Sequence, residues 1–180
     1  MRWPAITRME ALWTAIRCLP EEDAMAALES AIHLGFLSED QVRFLYASAP
    51  RRLNDGVCRI IATSESGNET IVRMRLERAG FAVVSQGRVP GIGRNDLVVE
   101  DCVDIDVDGR RWHGEDRFAI DRDRDIHVEG LGRRVIRLRA SHIHASWPHT
   151  LEVITRVVAD ARRERDRRFG RVIVRESDPF

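Results

Sequence analysis

The stretch Asp96-Leu-Val-Val-Glu-Asp-Cys-Val-Asp104-Ile-Asp106-Val-Asp108 constrains the fold of this chain more than any other segment. β-Branched residues suit a pleated sheet better than a helix, so two strands are expected, 96–99 and 102–108, joined by a turn at Glu100 and Asp101. Side chains two apart on a strand project from one face roughly 6.6 Å from each other. Asp104, Asp106 and Asp108 therefore line up, and Asp96 on the neighbouring strand reaches the same end of the sheet. Carboxylates that close repel one another unless positive charge lies between them, which makes a divalent cation the natural guest. The alternative is an acidic, solvated sheet end with no guest.

Around this hairpin the chain alternates helix and strand signals. Residues 5–18 carry Ile6, Met9, Leu12, Trp13 and Ile16 at helical spacing, ending at Leu19-Pro20. A second helix is expected from Glu21 to about Leu34, stopped by Gly35. A third starts at the capping box Ser38-Glu-Asp-Gln41, and a fourth helical piece from Arg51 reaches to about Thr63. A polar break, 64–69, precedes a helix at 67–79 that Gly80 terminates. Strands then follow at 81–86, at the two acidic runs and at 134–139, with a glycine-rich turn at 89–94. Helices are expected at 115–129 and from Ser146 and Pro148 onward, and a short last strand at 171–175. The predicted organisation is a helical extension over 1–63 followed by a mixed α/β domain over 64–180.

Composition excludes several classes. The 29 acidic and 29 basic residues balance, and the basic set is entirely arginine, so no mechanism can use a lysine. Arginine grips phosphate with a bidentate fork but is a poor proton acceptor. Cys18, Cys58 and Cys102 are widely spaced and lack zinc-ligand spacing, which fits reduced thiols in a cytoplasm. No window approaches the ~18 apolar residues of a membrane span, so a soluble, cytoplasmic protein is expected.

Other groups could join the acidic strand. His113, just past it, could take a proton from water or give one to a leaving oxygen. Asp121, Arg122, Arg124 and Asp125 fall within about one helical turn, as an acid facing a metal-bound water with arginines facing phosphate, or as a salt-bridged surface. Glu69 reads either as a metal-side acid or as the last residue of a Ser66-x-x-Glu69 capping box. Asp104 to Glu115 also satisfies the calcium-loop spacing, but Leu97 to Val107 is too β-branched to supply the entering helix that loop needs. His142, His144 and His149 have no fixed ligand spacing and read as structural. The arginine-rich run 162–175 fits a nucleic-acid backbone or a solvated helix face, and the N-terminal helices a plain extension or a homodimer surface.

With these residues in view, 64–158 resembles a family similar to the very-short-patch-repair endonucleases, within the PD-(D/E)XK nuclease superfamily. The likeness rests, in order, on the helix with Glu69; Gln86 closing a strand; Gly93-Arg-Asn-Asp96-Leu-Val; Asp106-Val-Asp108-Gly109; Trp112-His113; Asp121 to Asp125; and Leu131-Gly132-Arg-Arg-Val135-Ile-Arg137. It implies a restriction-endonuclease-like three-layer α/β core with a mixed sheet, and a metal-dependent DNA endonuclease using Mg²⁺ or Mn²⁺. By that resemblance Asp96 is the central metal ligand and Asp106 stands where the family has glutamate. Asp108 occupies the superfamily's lysine position, and His113 and Asp121 look like positions assisting the attacking water. Glu69 would help hold the metal, and Arg122 and Arg124 the DNA backbone. Asp104 departs from the pattern, since relatives look apolar there. The altered acids leave a second reading open, a catalytically weak or inactive module that binds nucleic acid or a protein partner, and calcium binding through 104–115 is a third.

Overall fold

The computed structural model describes residues 6–53, 59–89, 93–107 and 132–169. Three helices open the chain: α1 (Arg8–Cys18), α2 (Glu21–His33) and α3 (Glu39–Ala47). Their ends follow local chemistry. Thr7 and Ser38 each cap a first turn with a reciprocal capping box, closed by Glu10 and Gln41. Gly35, at φ +64°, ends the last turn of α2.

Of the expected fourth helical piece, the described residues show a 3-10 turn at Arg51–Leu53 and no regular structure at 59–61. Tertiary bonding overrides local propensity here. Arg52 donates to the carbonyls of Ile16 and Leu19 at the end of α1, and the Ile61 N–H is drawn to the buried Glu29 carboxylate at 2.8 Å.

Next comes α4 (Gly67–Arg78), the helix around which the molecule packs. Residues 69–74 are buried without interruption, because α4 lies between the sheet on one side and α2 on the other. Ile71, Val72 and Leu76 join the sheet core, whereas Met74 joins the core of the N-terminal helices. Gly67 permits the close approach, since a Cβ there would stand 3.3 Å from the Ala26 Cβ. The polar positions of α4 are satisfied across the same seam. Glu29 of α2 accepts from Arg73 at 2.6 Å and from the Thr70 hydroxyl at 2.7 Å, with both members of the ion pair fully buried.

The sheet has four strands in chain order: β1 (Val83–Val89), β2 (Gly93–Val99), β3 (Val103–Val107) and β4 (Arg134–Leu138). The first three pair antiparallel and β4 lies parallel to β3. The protein is thus α/β with a four-stranded mixed sheet. β1 begins two residues later than expected and continues through Val89, and β2 begins at Gly93, so the strands extend into the predicted glycine-rich turn. The Glu100-Asp101 turn forms as expected, with both residues at positive φ, +54° and +52°, and the Cys102 N–H bonds the Val99 carbonyl at 3.1 Å; Val99 pairs with Val103 across the three-residue loop.

Two closing helices, α5 (Ala140–His144) and α6 (Trp147–Phe169), complete the described chain. Leu97, Val99, Val103, Ile105, Val107 and Leu138 pack on α4 and α6 through Ile71, Val72, Ile154 and Val158. Both helices therefore lie on one face of the sheet. The predicted helix at 115–129 and strand at 171–175 lie outside the described residues. No described helix is long and apolar enough to cross a membrane.

Candidate active site

The face of the sheet turned away from α4 and α6 carries the acids. Leu97 pairs with Ile105, and carrying that register one residue further sets Asp96 opposite Asp106. Directly opposed residues share a face. On β4, Arg137 pairs with Asp106, so Asp96, Asp106 and Arg137 form a lateral row across β2, β3 and β4. Asp96 accepts the Val107 N–H at 2.8 Å, which fixes its carboxylate over the end of β3. The Arg137 Nε stands 3.7 Å from Asp106 Oδ2, with the two side chains 40% and 20% exposed.

Gln86 of β1 reaches instead toward α4. Its φ of +53° is unusual for a non-glycine residue in a strand, and its amide donates to Glu69 Oε2 at 2.8 Å. The twist turns Gly87 toward Val98, where a Cβ would stand 2.5 Å from Val98 Cγ2; only glycine fits without displacing that valine. Glu69 is buried and also accepts the Glu65 N–H at 2.9 Å. Half of the expected capping box is present, because Ser66 accepts the Glu69 N–H at 3.2 Å while the glutamate side chain reaches Glu65 and β1 instead. Arg94 of β2 pairs with Glu65, tying the α4 entry to the same end of the sheet. Glu69 is thus bonded to Gln86 and the Glu65 N–H on the α4 side of the sheet.

Asp104 behaves differently from its neighbour. It is 1% exposed, in a row with Val98 and Val135, and Arg133 grips it with two bonds, Nε to Oδ2 at 2.8 Å and Nη2 to Oδ1 at 2.7 Å. Those bonds hold the Arg133 guanidinium above its already high pKa, against the opposing effect of burial. The extra acid is neutralised inside the fold. Its position on a central strand also leaves no entering helix for a calcium loop.

Hard oxygen donors of two carboxylates on adjacent strands suit Mg²⁺ or Mn²⁺, so the chemistry of the donor set fits the cation the sequence implies. Among the described residues no third acid, histidine or cysteine completes a cation-holding group with them. Asp108, His113, Asp121, Arg122 and Arg124 lie outside the described residues. Two other histidines have local roles: His142 Nδ1 accepts the Arg139 N–H at 3.2 Å, and His144 Nε2 stands 3.0 Å from Asn68 Oδ1.

A cleft of about 590 Å³ lies at the other end of α4, lined among others by Glu22, Arg75, Arg78, His144 and Trp147. Arg75 there is held by Glu22, by the Ile143 carbonyl at 2.6 Å and by the Trp147 ring at 5.1 Å. Its charges are internally matched, and Asp96 and Asp106 lie elsewhere.

Sequence reasoning placed Gln86 and Arg137 within motifs but assigned them no role, and it missed Arg133 as the partner of Asp104. Local spacing carried no signal for these contacts, because each depends on strand pairing across tens of residues. Comparison of the chain with protein-family models, curated proteins and solved structures finds no match.

Proposed function

We propose that this chain is a metal-dependent endodeoxyribonuclease with a restriction-endonuclease-like core, similar to the very-short-patch-repair endonucleases and acting on DNA in the cytoplasm. The observation that carries the reading is the register of β2 and β3, which sets Asp96 and Asp106 opposite each other on the face away from α4 and α6. The order helix, three antiparallel strands, then a strand parallel to the third agrees with that fold; its third layer would come from 115–129.

Asp96 and Asp106 would hold Mg²⁺ or Mn²⁺, and from the resemblance Glu69 would help. Such a cation, when bound, polarises a phosphodiester and lowers the pKa of a bound water. The chain's own groups do the rest. Val107 orients Asp96 through its N–H, and Gln86 orients Glu69. Asp104, sealed by Arg133, stays out of the reaction. From the resemblance, His113 or Asp108 would orient or deprotonate the attacking water, Asp121 would assist, and Arg122 and Arg124 would hold the backbone.

A second reading has its own support, since Arg137 already neighbours Asp106 and aspartate reaches one methylene less far than glutamate. On that reading the same face binds nucleic acid or a protein partner without turnover. Incubating supercoiled plasmid with Mg²⁺ or Mn²⁺ separates them. Metal-dependent nicking that disappears in Asp96→Ala and Asp106→Ala is the expected result. Equal nicking by wild type and both variants marks a contaminant, and salt-dependent DNA binding without cleavage marks the binding module.

A further inference from the structure

We propose that the outer layer formed by α1 and α3 is a self-association surface, on which a second copy of this chain docks about a two-fold axis. The inference is independent of the nuclease reading, because it concerns the side of the molecule away from the sheet: α1 and α3 pack on α2, and α2 packs on α4.

Seven large apolar side chains are exposed among the described residues, and five of them, Ile6, Leu19, Leu34, Phe36 and Phe44, lie within 6–53. The other two, Val84 and Val153, stand singly on β1 and α6. Phe44 falls between the buried Val42 and Leu45 in sequence yet is 70% exposed, because helical spacing turns it to the far side of α3. Phe36, in the α2–α3 connection, is 48% exposed, and the Arg8 guanidinium lies over its ring at 4.8 Å. That contact brings the entry to α1, where Ile6 is 68% exposed, beside the connection, where Leu34 is 58% exposed.

The area suits a dimer. With about 150–250 Å² for an aromatic side chain and about 100 Å² for an aliphatic one, Ile6, Leu34, Phe36 and Phe44 leave roughly 350 Å² of apolar surface in water. A dimer of standard size covers about 800 Å² on each partner, somewhat over half of it apolar. Four side chains thus supply most of the apolar area that one face of such a dimer needs.

The charge pattern selects a second copy over an unlike partner. On α1 and α3, three exposed acids, Glu10, Glu39 and Asp40, balance three exposed arginines, Arg8, Arg17 and Arg43. A two-fold axis sets a surface against itself, so a patch of one sign repels its copy, whereas a balanced patch can meet each charge with its opposite. Phe36 and Phe44 are the aromatic anchors of the pairing.

Sedimentation velocity of the full chain between about 1 and 100 µM tests the proposal, since interfaces of this size reach micromolar affinity or tighter. Wild type should form dimers within that range. Phe44→Ser should raise the dimer dissociation constant at least roughly thirtyfold, as loss of an aromatic anchor does, and Phe36→Ser should act in the same direction. Asp40→Arg should weaken the dimer by unbalancing the patch, with a deficit that shrinks as salt rises. Val153→Ser alters an exposed apolar residue outside the layer and should dimerise as wild type does. A wild type that stays monomeric to about 100 µM, or one whose association grows past the dimer, overturns the proposal. So does a dimer that Phe44→Ser leaves intact, or that Val153→Ser weakens as much. If circular dichroism shows that Phe44→Ser fails to fold, Phe44→Gln, a stronger helix former, carries the test with the same expected loss.

Discussion

Replacing Glu29 with alanine should destabilise the protein more than any single surface change, because it breaks the polar seam between α2 and α4. The pair it forms with Arg73 is wholly buried, at 2.6 Å, and the same carboxylate accepts the Ile61 N–H and the Thr70 hydroxyl. Removing one partner of a buried pair costs about 3–5 kcal/mol, since the other charge is left without compensation. Each orphaned donor adds about 1–3 kcal/mol, less than additively because the three share one acceptor. An expected loss of about 5 kcal/mol is comparable to the whole stability of many domains. Urea unfolding followed by circular dichroism measures it. The paired change Glu29→Leu with Arg73→Met should recover most of the loss, because apolar replacement of a buried ion pair is often close to neutral. Because α4 contributes Met74 to one core and Ile71 and Val72 to the other, the N-terminal helices and the sheet should unfold in one transition. A loss below about 1 kcal/mol for Glu29→Ala, or a double variant no better than the single, would refute the argument from burial.

Two smaller predictions follow from local geometry. Gly87→Ala places a Cβ 2.5 Å from Val98 Cγ2 and should cost about 1–3 kcal/mol; adding Val98→Ala should return part of it, and an unmoved urea midpoint would show that β1 relaxes freely. Burial pushes the Cys102 thiol above its ordinary value of 9.0, so the folded state holds that proton more tightly than the unfolded state does. Its contribution to stability is complete below the ordinary value and is lost as pH climbs through the folded one. Between pH 8 and 10.5 the urea midpoint of wild type should therefore fall more steeply than that of Cys102→Ala, and parallel slopes would exclude the effect.

Much of the architecture was legible because it is written in short-range chemistry. The capping box at Ser38, the stops at Gly35 and Gly80, and the turn at Glu100 and Asp101 each depend on a few adjacent residues. The alternation of acids with valine and isoleucine likewise identified β3 and ruled against a calcium loop. Where local preference and distant contacts disagreed, distant contacts prevailed. At 59–61, where the helical pattern after Pro50 was expected to continue, the described backbone is irregular and the Ile61 N–H goes to the Glu29 carboxylate.

The site divides the same way. Sequence by itself determined that Asp96, Asp106 and Glu69 are acids at the ends of expected elements, and that every strongly basic group is an arginine. Only tertiary structure decided which acid is locked inside the fold. Asp104 and Asp106 are two residues apart on one strand face and indistinguishable by spacing, yet Arg133 seals one while Arg137 merely borders the other. The physical reason is that a carboxylate's role depends on the charges and donors within a few ångströms, and here those arrive from β4, about thirty residues away in the chain and next door in the sheet.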